Sequence, residues 1–161
     1  MSGVDDIRFM REAIRIATEN GSDPALSPIG CVIVLDGKIL AAKRNGVADL
    51  HDAVAHAEIE AIRAAGRNFH KGELRRATLY STLQPCGMCT MATFWSKLAR
   101  VVYGAGRDDV HAMYFESHRI DTLALARDID HNLIIDGGVL RDECSRLYYR
   151  PWDRVTDQDC S

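Results

Sequence analysis

No run of apolar residues in the sequence approaches the ~18 that a membrane-spanning helix requires. Neither sign of charge dominates: 20 Lys and Arg stand against 23 Asp and Glu, for a net charge of −3. The basic excess that marks most nucleic-acid surfaces is therefore missing, and nucleic acid is not expected as a partner. Arg67, Lys71, Arg75 and Arg76 do cluster, but they read as the solvated rim of a loop. Repeats, low-complexity tracts and long linkers are also lacking, so residues 1–161 are expected to form one domain. The opening MSGVDDIRFM has no basic stretch leading into an apolar core, the mark of a secretory signal. The five cysteines, Cys31, Cys86, Cys89, Cys144 and Cys160, are odd in number and widely spaced. Such a set suits a reduced, cytoplasmic protein and not a disulfide framework.

What is present is an ordinary globular composition, 47% hydrophobic and 27% charged. At this length that suffices for a core without staples. Ile7, Met10, Ile14 and Ala17 recur at three- and four-residue intervals, which predicts an amphipathic helix opening at Asp5 and Asp6. Two apolar runs flank Asp36-Gly37 and predict antiparallel strands over 29–35 and 38–44. AVAHAEIEAIRAAG reads as a helix ending at Gly66, ATLYSTL as a buried strand and PCGMCTMATFWSKL as the helix after it. ARVVYGA and HNLIIDGG read as further strands, DDVHAMYFESH as a short helix or ordered loop, and VLRDECSRLYYR as a last helix. Strands alternating with helices behind an opening hairpin predict an α/β sandwich with a mixed sheet. Met91, Phe94 and Trp95 are expected in the core, with a dimer partner as the other reading of Trp95.

LQPCGMC, residues 83–89, places Cys86 and Cys89 three positions apart at the head of a helix. Their sulfurs then share one face, and the positive end of the helix dipole favours both as thiolates. A lone pair of this kind is open to three readings: a redox couple, half of a structural zinc knot, or part of a catalytic zinc site. The knot normally shows a second close pair, and only Cys31, His51 and Cys144 are loose candidates for a fourth ligand. His56 opens the preceding helix, with Glu58 two residues on. Three such ligands plus a carboxylate outside the metal's shell would make an open, catalytic site.

HAE at 56–58 together with PCGMC at 85–89 resembles the zinc-dependent cytidine and nucleobase deaminase superfamily, and the match in element order runs over about residues 5–110. The resemblance implies a three-layer α/β/α sandwich around a mixed five-stranded sheet. It implies zinc held by His56, Cys86 and Cys89, with water as co-substrate and Glu58 as the proton shuttle. PIGCVIV at 28–34 resembles the first core strand of the free-base deaminases, and Asn45 falls where the family places a substrate-contacting Asn. Many members carry D-P-T-A ahead of HAE where this chain has Asp52-Ala53-Val54-Ala55, with no catalytic group lost.

The same resemblance frames the substrate. RDDVHAMYFES at 107–117 is similar to a segment of the guanine deaminases, with Glu116 one position short of their second acidic group. RPWDRVTD is similar to the closing segment of the cytosine deaminases, which implies 151–161 as a covering tail, Trp152 stacking on a ring and Asp157 accepting from an exocyclic amine. The expectation is a zinc-dependent hydrolytic deaminase of a free nucleobase or related heterocycle (cytosine, guanine or s-triazine type), acting as a homodimer. A tRNA adenosine deaminase and a non-catalytic zinc-stabilised binding module are the alternatives.

Overall fold

The computed structural model describes residues 3–19, 26–111, 114, 120–129 and 132–149. Five strands among them, β1 (Gly30–Leu35), β2 (Lys38–Arg44), β3 (Thr78–Leu83), β4 (Arg100–Ala105) and β5 (Ile134–Gly137), form one sheet in the order β2-β1-β3-β4-β5. β1 runs antiparallel to both β2 and β3, whereas β3, β4 and β5 are parallel, so the sheet is mixed as expected. The β1–β2 hairpin turns on Asp36 and Gly37, both at positive φ (50° and 74°), the geometry that Asp-Gly adopts in a two-residue hairpin loop.

Period-2 alternation divides the core. Val32 and Val34 of β1, Tyr80 of β3 and Val102 of β4 face Phe9, Met10 and Ala13 of α1 (Gly3–Ala17) and Cys144 of α7 (Arg141–Arg146). Cys31, Ile33, Leu35, Leu79 and Val101 face the opposite way, towards Ala57, Ala61 and Ala65 of α3 (Ala57–Gly66). α5 (Gly87–Ser96) packs beside α3, and α6 (Thr122–Ile129) beside α5, giving the three layers. Two single-turn helices, α2 (Val47–Leu50) and α4 (Lys71–Leu74), occupy connections read as loops. Among the described residues no helix is long and apolar enough to cross a membrane.

The approach of α1 to the sheet requires a glycine at position 30: a Cβ there would lie 2.1 Å from the Ala13 carbonyl oxygen. The same helix is pinned electrostatically. Asp6 accepts from the Tyr80 hydroxyl at 2.8 Å and from both terminal nitrogens of Arg100 at 2.8 and 2.9 Å. Arg100 in turn donates through Nε to Asp136 at 2.7 Å, so one guanidinium ties α1 to β4 and β5. Arg100 beside Asp6 holds that carboxyl below its ordinary value despite burial.

Two elements depart from the sequence expectation. The segment after β4 begins with a 3₁₀ turn, Arg107–Asp109, in place of the longer helix. α6 was not expected at all, although Asp121 caps it by accepting from the Leu123 and Ala124 N–H groups at 3.0 Å each.

Candidate active site

The functional residues gather where two helices begin. His56 is the N-cap of α3 and Cys86 the N-cap of α5, both with extended backbone, so their side chains turn back from the helix start. Cys89 lies one turn into α5. Packing of α3 on α5 brings the two starts together. His56 Nδ1 lies 3.7 Å from Cys86 Sγ and 3.6 Å from Cys89 Sγ, and all three ligand atoms fall within 4.8 Å of one another. Zinc bonds of ~2.1 Å to nitrogen and ~2.3 Å to sulfur, opened to the tetrahedral angle, span ~3.6 Å. The donor set and its spacing therefore fit zinc.

Electrostatics agree with geometry. The positive ends of two helix dipoles point at the group. A hydrogen bond from the Cys89 thiol, reinforced by His56, outweighs burial and holds the Cys86 thiol down to about 4. The same bond, together with burial, pushes Cys89 upward. A cation seated between the sulfurs displaces the proton that they share. Cys31 and Cys144 are both buried, and neither belongs to the ligand group, so among the described residues the site has three protein ligands and an open fourth position.

Glu58 stands in the first turn of α3 and is buried, which raises its carboxyl. Ser81, from the middle of β3, donates to its Oε1 at 3.3 Å. Asn45 follows β2 and is also buried; its Oδ1 accepts from the Val47 N–H at 3.1 Å, which turns the amide nitrogen outward from that bond. The next residue, Gly46, donates to the Ala55 carbonyl at 2.8 Å, tying the Asn45 segment to the chain entering His56.

A cavity of about 550 Å³ opens beside the ligand group. His56, Cys86 and Gly87 form its floor, and Ala53, Met88 and Met91 continue it. Arg107, Ile120, Thr122 and Leu125 form the far wall. Met91 thus lines the cavity and does not sit in the core, because it follows Met88 by three residues on the same face of α5. Trp95 is 62% exposed, against the core reading. Arg107, Thr122, Leu125, Ser81 and Gln84 were missed. The Asp121 cap ahead of the apolar residues of α6 was the available signal for two of them. Glu116, Trp152, Asp157 and the tail 151–161 lie outside the described residues.

Residues 4–105 match the model of the cytidine and deoxycytidylate deaminase zinc-binding region. The chain is 36% identical over 145 residues to a tRNA-specific adenosine deaminase of Buchnera aphidicola, covering 88% of this chain and 90% of that protein. A solved structure from a study of A-to-I editing by tRNA:A34 deaminases at the wobble position of transfer RNA superposes with a TM-score of 0.70. It is 33% identical and covers 87% of this chain and 98% of that one. A guanine deaminase from Nitrosomonas europaea superposes at 0.73 with 25% identity, covering 86% of this chain and 80% of that one.

These relatives correct two expectations. The free-base branch, with cytosine, guanine or an s-triazine as substrate, gives way to relatives that are tRNA adenosine deaminases. The expectation against nucleic acid falls with it, because a net charge of −3 counts charges without locating them. Arg107 stands on the cavity wall, whatever the total. The chain belongs to the zinc-binding cytidine and deoxycytidylate deaminase family and is a zinc-dependent hydrolytic deaminase.

Proposed function

We propose that the protein deaminates adenosine in tRNA, at wobble position 34, to inosine. The observation that carries this reading is the 36% identity to a tRNA-specific adenosine deaminase over about nine-tenths of both chains. The site supports it. Ala53, Met88, Met91, Ile120 and Leu125 offer apolar surface to a planar base, and Arg107 places a positive charge where a phosphodiester flanking that base would pass.

His56, Cys86 and Cys89 would hold the metal. Zinc, when bound, polarises water and lowers its pKa towards ~7, so that a nucleophile is present at neutral pH. Glu58 takes the proton from the attacking water and delivers it to ring nitrogen N1. As the new C6–O bond is completed and the C6–N6 bond breaks, the shuttle passes the oxygen's remaining proton to the amine, which leaves as ammonia. The product keeps a C6 carbonyl and an N1–H, with no change in oxidation state. Asn45, held by its bond to Val47, presents its amide nitrogen to an acceptor on the nucleoside. Ser81 keeps the Glu58 carboxylate aimed.

The test is incubation of the zinc-loaded protein with an anticodon stem-loop carrying adenosine 34, followed by nuclease digestion and mass analysis of the nucleosides. Inosine at position 34, and adenosine intact elsewhere in the loop, is the expected result. A stem-loop recovered unchanged sinks the reading.

A further inference from the structure

The far wall of the cavity is not built on the metal-binding helices, yet one side chain ties it to them. Gln84 follows the last residue of β3, two positions ahead of Cys86, and its own N–H continues the ladder to the Ala105 carbonyl at 2.8 Å. Its amide is buried, off the cavity surface, and reaches in two directions. Nε2 donates to Thr122 Oγ1 at 2.8 Å, and Oε1 accepts from the Arg107 N–H at 3.0 Å. Arg107 then donates through Nη1 to the Ile120 carbonyl at 2.9 Å. Gln84, Thr122, Arg107 and Ile120 therefore form one hydrogen-bonded chain, and three of its four members line the cavity.

Those bonds do work that packing alone does not. The segment between Arg107 and Ile120 returns to the site only through them, and α6 starts at Thr122, the residue Gln84 grips. An amide is suited to the place because it offers one donor to a hydroxyl and one acceptor to a backbone N–H at the same time. An apolar side chain of similar size would leave the Arg107 N–H and the Thr122 hydroxyl without those partners in a buried setting.

The geometry points to Gln84 as a positioning residue: it sets the distance between the metal-binding helix and the wall of Arg107, Ile120 and Thr122, and so sets the fit of the target ribonucleoside. It touches neither metal ligands nor reacting atoms. Its influence is on the ground-state embrace of the nucleoside, which the chemical step inherits unchanged. This inference rests on the tRNA reading for its substrate, but the latch itself can be observed without one.

Two measurements on Gln84→Leu, Gln84→Glu and Thr122→Val test it. In steady-state deamination of the adenosine-34 stem-loop, Gln84→Leu is expected to raise KM about 10-fold with kcat within about 2-fold of wild type, the pattern of lost uniform binding. Zinc is expected to remain at wild-type occupancy. Gln84→Glu restores KM to within about 3-fold, because its carboxylate accepts from both the Arg107 N–H and the Thr122 hydroxyl. Thr122→Val shifts KM in the same direction as Gln84→Leu. Separately, amide hydrogen exchange over 123–126 is expected to speed up in Gln84→Leu and not in Gln84→Glu. Unchanged exchange overturns the latch whatever the substrate is, and so does a fall in kcat in step with loss of zinc. If the wild-type protein leaves the stem-loop untouched, the tRNA reading fails by itself, and the exchange measurement still decides the latch.

Discussion

Ser81 and Glu58, 23 residues apart in sequence, meet where β3 passes beneath the first turn of α3, with Ser81 Oγ 3.3 Å from Glu58 Oε1. Both are buried. A carboxylate that must serve water on one side and a base on the other needs its orientation fixed, and this hydroxyl provides one fixed point. Ser81→Ala is expected to lower kcat by about 2- to 10-fold, the worth of one net hydrogen bond, with zinc content unchanged. Kinetics and metal analysis on the same sample read both. Zinc lost in proportion to activity would assign Ser81 to the integrity of the site instead.

Glu58→Gln keeps the shape and removes the exchangeable proton site. Turnover is expected to fall by about 10²- to 10⁴-fold, the range of general acid–base catalysis, with metal retained. The complementary change, His56→Ala, removes one of three ligand atoms. It is expected to empty the metal during gel filtration against a chelator that wild type survives. Zinc leaving in Glu58→Gln would place that carboxylate among the ligands.

Removing zinc from the wild-type protein tests the same centre through stability. A ligand bound to the folded state alone, at about 100-fold above Kd, adds about 2.7 kcal/mol. For a chain of this length that is about 5–10 °C in Tm. A melt with and without chelator should show the difference, and readdition of zinc should restore it. Equal Tm in both samples contradicts a resident metal.

Asp6 predicts a pH dependence at the other side of the sheet. Its folded carboxyl is held below the model value of 3.8, chiefly by the hydrogen bonds from Arg100. A depressed acid stabilises the fold above its unfolded pKa and loses that contribution as pH falls through the folded value. Acid should therefore weaken the protein from about pH 4 downward. Asp6→Asn is expected to cost about 2–4 kcal/mol near neutrality and to flatten that acid limb. Denaturant melts at several pH values read both effects. An acid limb as steep in the variant as in wild type would assign it to other carboxylates.

The metal group was legible because each ligand sits within a few residues of a helix start, and HAE and PCGMC carry that information locally. The hairpin was legible for a similar reason, since Asp36-Gly37 determines its own turn. The far wall was not. Gln84 reads as an unremarkable polar residue until Thr122 and Arg107, 38 and 23 residues away, are placed against it. Asp6 likewise reads as a first-turn acid of a helix, whereas its partner Arg100 is 94 residues distant. The substrate was misjudged on a property summed over the chain. Net charge is insensitive to the placement of a single arginine beside a cavity, and placement is what a phosphodiester meets.

The most direct measurement is ammonia release by the zinc-loaded protein from the adenosine-34 stem-loop, run in parallel with guanine, cytosine and adenosine. The predicted result is one ammonia per inosine formed in the stem-loop and none from the free bases. Ammonia from guanine or cytosine, with the stem-loop untouched, would contradict the assignment to tRNA while leaving the zinc deaminase chemistry in place.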